Sequence, residues 1–448
     1  MGDPILQPSH ALAVPLPRGV RRALDAMQAD AARDWSLDAL AEVAGLSNRT
    51  LQRQFRVFLG QTPLAKLRDI RFDRARRELL RPAAGVRVMD IALRCGFPHF
   101  GRFSIEYRRR YGETPSQTVR RQATVVDALA SMRMPFVIGR DRPTIALTTF
   151  EAGIGDSEAA RAIADELATS LTRAGVSVVS QARGARYRLA GALRGSGHQA
   201  RLTLRLIEAD TGRHLWAHRS EGAGDRDFML EEHHATRIVA ALQPHLRQAE
   251  VERARRQPDS DLSAQDLALR ALPSVLAMDA EGNARALDLL ERALERDPEH
   301  ALATSLAAWA HAQRVVYHFS PTPLEERARG MELVGRASAL AGDATALALL
   351  GNALTSLNEV ESADLVIRKA LAVDGGSAWA WSRGGWIDVY RGDSDSAIER
   401  FGIALELAPQ DPLAFNNLMG IGVAHFNAGR YQEAARWQNW ALREHPSA

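Results

Sequence analysis

Apolar side chains recur at helical spacing through residues 36–63. Leu37, Leu40 and Ala41 share one face of a short predicted helix. Gly45 has the backbone freedom a sharp turn requires, and Leu46 plugs the corner behind it. Ser47 reads as the N-cap of a second helix that buries Leu51, Phe55 and Phe58. Ser47, Asn48, Arg49, Thr50, Gln52, Arg53 and Arg56 are left at its start and on its outer side. A merely solvated face can be polar too, but here no acid follows until Asp69. Basic and amide side chains are the types that pair with phosphates and purine edges, so the second helix reads as a DNA-recognition helix.

The same pattern returns about fifty residues on. Ile91-Ala92 matches Leu40-Ala41, Cys95-Gly96-Phe97 matches Ala44-Gly45-Leu46, and Gly112-Glu113-Thr114-Pro115 matches Gly60-Gln61-Thr62-Pro63. The offset is 51 before the second helix and 52 after it, so one residue is gained there. Between the copies, Leu64 to Leu80 is an amphipathic run with Leu67, Ile70, Ala75 and Leu79 on its inner side. Two helix-turn-helix units joined by one helix can enter two major-groove segments on one face of DNA, about 34 Å apart.

SLDALAEVAGLSNRTLQRQF, the G-x-TP of Gly60 to Pro63, LRDIRFDRARRELL, MDIALRCGF, F-S-x-E-Y-R-R-R-YG and TPS follow one another in a characteristic order. With them, residues 18–121 resemble the DNA-binding domain of the AraC/XylS family of transcription regulators. The resemblance implies base-reading positions at Arg49, Gln52 and Arg53 in the first unit. In the second it implies them near His99, Phe100, Gly101, Arg102 and Ser104, with another at Ile105. Ile105 stands where the family usually has arginine, and Pro98, Phe100 and Gly101 are also unusual there. The second unit is therefore expected to hold the DNA backbone or to read sequence loosely.

Further along, strand-like runs appear at Thr144–Phe150, Val176–Val179, Tyr187–Leu193, Gln199–Ile207 and His214–His218. Helical runs are expected at Ser157–Arg173 and Asp225–Leu246, with turns at Arg194-Gly195-Ser196-Gly197 and Ala209–Gly212. These elements make a small α/β domain of about one hundred residues. T-I-A-L-T-T-F, A-D-E-L-A-T-S-L, Y-R-L-A-G-A-L-R and LRLIEADTGRHLWAHR give it a resemblance to the TolB-amino-terminal-like domain, which implies a fold and no chemistry. In residues 263–448, the segments ALERDP, ASALAG, ALAVDG, ALELAP and ALREHP begin at Ala293, Ala337, Ala370, Ala404 and Ala441. The period near 34, an alanine seven residues earlier (Ala286, Ala363, Ala397, Ala434) and a closing Pro or Gly resemble tetratricopeptide repeats. About five helix pairs stacked as a curved solenoid are expected. Trp379, Trp381, Trp386, Phe415, Phe426, Trp437 and Trp440 read as packing between repeats, with a groove for a peptide or partner helix as the alternative.

Charge sharpens this division. The net charge of +3 is the sum of about +11 over residues 1–142 and −8 over the rest. A basic head on an acidic body fits one nucleic-acid face and a separate effector region. The single cysteine, Cys95, excludes an internal disulfide and reads as core filler at the second turn. The N-terminal run reads as a flexible leader, and no run approaches the roughly 18 apolar residues of a membrane helix. Glu231-Glu232-His233-His234 lacks the i, i+4 spacing of a zinc pair, and His214 and His218 lie too far apart along a strand. Asp393 and Asp395 read as a polar helix start rather than a calcium loop, and no catalytic constellation is visible.

The expected fold class is thus multidomain. A flexible leader (1–17) precedes an all-α double helix-turn-helix domain (18–122) and a linker (123–142). A small α/β domain (143–248), a second linker (249–262) and an α-solenoid of tetratricopeptide-like helix pairs (263–448) follow. The expected function is a cytoplasmic, nucleoid-associated bacterial transcription regulator that is not an enzyme and needs no cofactor or metal. Its expected partners are double-stranded DNA, RNA polymerase, and a protein partner or second copy bound through the repeats, with no membrane. The alternative is an interaction scaffold with only non-specific DNA binding; an enzyme with its site in residues 143–248 is a distant third.

Overall fold

The computed structural model describes residues 16–80, 87–120, 142–148, 150–152, 157–180, 183–194, 199–223 and 232–444. They divide into two compact units, residues 1–124 and 125–448. The expected leader, the linker over 123–142, the helix start at Asp225 and the turn at Gly195–Gly197 lie wholly or mostly outside the described residues.

In the first unit, α1 (Arg18–Ala29), α2 (Leu37–Ala44) and α3 (Asn48–Leu59) are followed by the long helix α4 (Pro63–Leu80). Then come α5 (Val88–Arg94), α6 (Phe100–Tyr111) and a last helix α7 over residues 115–120. There are two cores. Val20, Met27, Leu40, Leu51 and Phe55 form one, closed by Leu67 of α4. Ile91, Cys95, Phe97, Phe103 and Tyr107 form the other, closed by Phe72, Ala75 and Leu79 of the same helix. Aromatic rings dominate the second core, Phe72 stacking on Phe103 at 5.7 Å and meeting Phe97 at 4.5 Å. The single inner side expected of α4 is therefore two faces, because its halves serve different cores. Phe58 is only half-buried, since it falls in the last turn of α3 before the left-handed Gly60 cap.

The second unit opens on a mixed sheet of β1 (Thr144–Leu147), β2 (Glu151–Ala152), β3 (Ser177–Val179), β4 (Tyr187–Arg194), β5 (Gln199–Glu208) and β6 (His214–Ala223). The strand order is β3-β1-β4-β5-β6, with β2 also paired to β4. β3, β1 and β4 run parallel, whereas β4, β5 and β6 form antiparallel ladders. Leu202, Leu204 and Leu206 alternate inward along β5. They pack with Leu167 and Leu171 of α8 (Ser157–Arg173) and with Val239 and Leu242 of α9 (Glu232–Arg256).

Three expectations are corrected here. Of the strand expected over Val176–Val179, Val176 is buried but Ser177–Val179 is half-buried, because β3 is an edge with a neighbour on one side only. The strand at Thr144–Phe150 ends at Leu147, and Phe150 instead lays its ring over Gly191, where a Cβ would stand 2.5 Å from it. The segment 249–262, expected as a linker, is helical through Arg256 and then turns at Asp259–Asp261. Ala249, Val251 and Ala254 continue the buried stripe of α9, so its apolar face outweighs the polar residues between them. Pro244 withdraws one amide donor without ending that helix.

Ten helices in five consecutive pairs follow. They are α10 and α11 (Ala264–Leu276, Ala280–Arg296), α12 and α13 (Ala301–Val316, Pro323–Leu340), and α14 and α15 (Ala344–Ser356, Val360–Val373). α16 and α17 (Ala378–Arg391, Ser394–Leu407) precede α18 and α19 (Ala414–Asn427, Tyr431–Glu444). The aligned alanines explain the period: Ala286, Ala293, Ala337, Ala363, Ala370, Ala397, Ala404 and Ala441 are all fully buried where helices meet. In the second pair, the position seven residues before Ala337 is Gly330, whose absent Cβ would come within 3.3 Å of Leu357. Asp393 caps α17 through the Ser396 amide at 3.2 Å, and Asp395 pairs with Arg430 at 2.9 Å, the polar helix start expected of them.

Phe401 is the tightest joint between the last repeats. Its ring lies where a Cβ on Gly385 or Gly420 would stand, at 2.8 and 2.3 Å, and Trp386 meets it edge-on at 5.6 Å. Phe401→Ala is expected to destabilise the repeats by about 3–5 kcal/mol through the cavity it leaves. Gly420→Ala is expected to destabilise them as well, by overpacking. Chemical denaturation followed by circular dichroism checks both.

Candidate nucleic-acid interface

The two turns of the first unit are built alike. Gly45 and Gly96 both take left-handed backbone, with φ of 67° and 83°. The amide after each donates back into the preceding helix, Leu46 to the Ala41 carbonyl at 3.0 Å and Phe97 to the Ala92 carbonyl at 2.9 Å. α3 and α6 then end on matching left-handed caps, Gly60 and Gly112. Leu51 and Phe55 on α3, and Phe103 and Tyr107 on α6, turn inward at the offset of 52 read from the sequence.

What remains outside differs between the copies. Arg49, Arg53 and Arg56 are exposed and have no ion-pair partner among the described residues, while Gln52 is half-buried beside them. Ser47 caps α3, accepting from the Thr50 amide at 3.3 Å and meeting the Thr50 hydroxyl at 2.9 Å. The Asn48 amide donates to the Asp38 carboxylate of α2 and so ties the two helices together. In the second copy, His99, Phe100, Gly101 and Arg102 are exposed at the start of α6, and Ser104 is half-buried. His99 occupies the N-cap position without a side-chain capping bond. At the offset of 52, Ile105 stands where Arg53 stands on α3, with 74 % of its surface exposed. At this one position α3 presents a guanidinium donor and α6 a branched alkyl group.

Two sets of residues escaped the sequence reading. Arg108 and Arg109 extend the exposed basic side of α6, and only their place in a run of three arginines signalled them. Arg71 on α4 donates to the carbonyls of Ala31 at 2.7 Å, Arg33 at 2.8 Å and Gly96 at 3.1 Å. It thereby joins the end of the first half to the turn of the second. Burial lowers its pKa, with Asp34 acting in the opposite direction. A Cβ on Gly96 would stand 2.8 Å from the Arg71 Nε, so this turn needs glycine for space as well as for φ. α6 is held along α4 by Arg68 with Glu106 at 2.6 Å, Asp69 with Arg110 at 2.7 Å, and Asp73 with the Tyr111 hydroxyl at 3.0 Å.

Elsewhere, the candidate metal residues do not converge. His234 shares a hydrogen bond with Ser220 at 3.3 Å, and His218 stacks on Trp216. Glu231 lies outside the described residues, and among those described no three His, Cys, Asp or Glu side chains are grouped to hold a metal. No helix among them is long and apolar enough to cross a membrane.

Comparison with known proteins agrees with the two motif classes. A helix-turn-helix domain family matches residues 40–121, and a tetratricopeptide repeat family matches residues 274–315 and 383–448. The XylDLEGF operon transcriptional activator of Pseudomonas putida is 43% identical over 89 residues, covering 20% of this chain and 28% of its own length. A Rhizobium meliloti (strain 1021) protein provisionally named adenylate cyclase 3 is 29% identical over 184 residues that include the repeat part, covering 36% of this chain and 31% of its own length. The chain therefore spans less than a third of either relative. A solved AraC-type DNA-binding domain-containing regulator from Chromobacterium violaceum is 30% identical over 23% of this chain and 92% of its own, with a TM-score of 0.22. The chain thus carries an AraC-type helix-turn-helix domain and tetratricopeptide repeats.

Removing the Arg71 clamp leaves three carbonyls without their donor. Arg71→Met is expected to lower the stability of the first unit by about 2 kcal/mol, measured by denaturant titration. Cys95 is buried, and burial together with the nearby Glu78 carboxylate pushes its thiol up to about 12. Its alkylation by iodoacetamide is expected to be slow at neutral pH in the native protein and rapid once denaturant is added.

Proposed function

We propose that this chain is a transcription regulator that reads two adjacent major-groove segments of DNA with two helix-turn-helix units. The observation that carries the reading is the repeated turn geometry, which leaves the outer sides of α3 and α6 exposed while α4 anchors both. Arg49, Gln52 and Arg53 are the base readers, since arginine suits guanine and glutamine suits adenine. Ser47, Asn48, Thr50 and Arg56 flank them. Two of these first orient α3: Ser47 by capping it and Asn48 by holding Asp38. His99, Phe100, Gly101, Arg102 and Ser104 make the second contact, backed on the same helix by Arg108 and Arg109 as phosphate partners. Ile105 offers only apolar contact, which suits a thymine methyl group and gives looser readout.

In this reading the sheet, a TolB-amino-terminal-like fold, and the repeats supply signal input, dimerisation or contact with another protein, RNA polymerase among them. The chain itself is non-enzymatic. A scaffold reading draws on the last helix pair, where Phe426, Tyr431 and Trp440 pack on aromatic neighbours yet stay exposed. In that reading the repeats bind a protein and DNA contact is non-specific.

Selection from random duplexes separates the two: the regulator returns a bipartite motif, and the scaffold returns none. Arg53→Ala is expected to weaken binding to the selected sequence by about 1–3 kcal/mol and to relax preference at one base pair. Ile105→Ala is expected to matter much less. Fluorescence anisotropy on selected and random duplexes measures both. Equal loss on the two duplexes contradicts base reading by Arg53.

A further inference from the structure

A cavity of about 550 Å³ lies inside the second unit, between α9 and the repeats. That volume is within the range of small-molecule sites. Leu246 of α9, Leu269 and Leu272 of α10, and Leu302 and Leu340 form its apolar lining. The sheet unit and the repeats therefore leave a space beside the core that Val251 and Ala254 of α9 share with the repeats.

Asp297 and Glu299 line its exposed edge, and the charges further in are already compensated by the protein. Arg247 lies 3.9 Å above the Trp379 ring and 3.4 Å from Asp411, whose two oxygens each accept from the Trp379 indole at 3.0 Å. Glu250 accepts from the Tyr187 hydroxyl at 2.8 Å, from Arg186 at 3.0 Å and from Arg253 at 3.1 Å. Asp343 caps α14 through the Ala346 amide at 2.9 Å and faces Arg142 at 4.0 Å. A ligand placing a full charge against the inner wall would lose its hydration there and meet partners already engaged. Two uncharged groups are left for recognition: the Gln265 amide and the Thr345 hydroxyl line the cavity with no hydrogen-bond partner among the described residues.

We propose that this cavity binds an uncharged amphipathic small molecule. Its apolar body lies along the leucine wall, and its hydrogen-bonding groups meet Gln265 and Thr345. Because α9 completes the sheet core and also walls the cavity, occupancy fastens the sheet unit to the repeats. The site stands whether or not the first unit reads DNA, and its test uses no DNA.

The experiment titrates the full chain with N-phenylnaphthylamine, an uncharged fluorescent amphiphile, and in parallel with its sulfonated analogue anilinonaphthalene sulfonate. The uncharged probe is expected to saturate at one equivalent, to raise the melting temperature, and to bind at least about tenfold tighter than the sulfonate. Gln265→Trp and Thr345→Trp, which fill the cavity from the repeat side, are each expected to weaken it by about tenfold or more. Trp440→Ser, on the exposed aromatic surface of the last helix pair, is expected to leave the titration unchanged. The proposal is overturned if the uncharged probe does not saturate, if the sulfonate binds as well, or if binding follows Trp440→Ser. It also fails if a filled variant that retains its melting transition binds like the unaltered chain. The two-probe comparison on the unaltered chain decides even where a filled variant does not fold.

Discussion

One helix belonging to two cores is the constraint on which the relative placement of α3 and α6 depends. α4 gives Leu67 to the first core and Phe72, Ala75 and Leu79 to the second, so neither half can close without it. Its 18 residues make a spacer of about 27 Å. Rotation about that spacer is opposed by polar contacts near its middle. Arg71 gathers carbonyls from the two halves, and Arg68, Asp69 and Asp73 hold α6 in line. The ion pairs are partly exposed and each adds little by itself. Their effect is geometric, because they fix one rotation of α6 on α4 while ring packing in the second core supplies the stability.

α9 plays a comparable part in the second unit. Its apolar stripe closes the sheet core, while Glu250, Arg247 and Gln243 reach Tyr187, Asp411 and Asp374. A single helix thus connects the sheet to the repeats through buried polar contacts that leave little slack. The +11 of residues 1–142 and the −8 of the remainder divide the chain electrostatically as well. Such a division keeps a nucleic-acid surface distinct from a surface suited to other partners.

Periodicity made much of the fold legible before any coordinates. The doubled turn could be read because Gly45 and Gly96, and Gly60 and Gly112, meet the same steric demand for left-handed backbone. The repeats could be read because close helix approach admits only small side chains, as the buried alanines show. The helical end of α9 is hard to read from sequence, because its stripe of Ala249, Val251 and Ala254 is interrupted by Glu250 and Glu252, whose partners Arg186 and Arg213 lie far away in sequence. Gly330 went unmatched for a related reason: the constraint is on size, and an alanine pattern overlooks a glycine. The clamping role of Arg71 had no local signal, since its acceptors are backbone carbonyls 25 to 40 residues distant. Asn48 sits in sequence with the outer-face residues, and its bond to Asp38 follows from the approach of α2 and α3 in the fold.

The most direct test of the account is the affinity of the chain for a selected bipartite duplex as the two half-sites are moved apart. A rigid α4 predicts that inserting about five or about ten base pairs between them lowers affinity to that of a single half-site, because the helix can follow neither the rotation nor the added length. Affinity that survives either insertion would contradict the fixed spacing and show that the two units move independently.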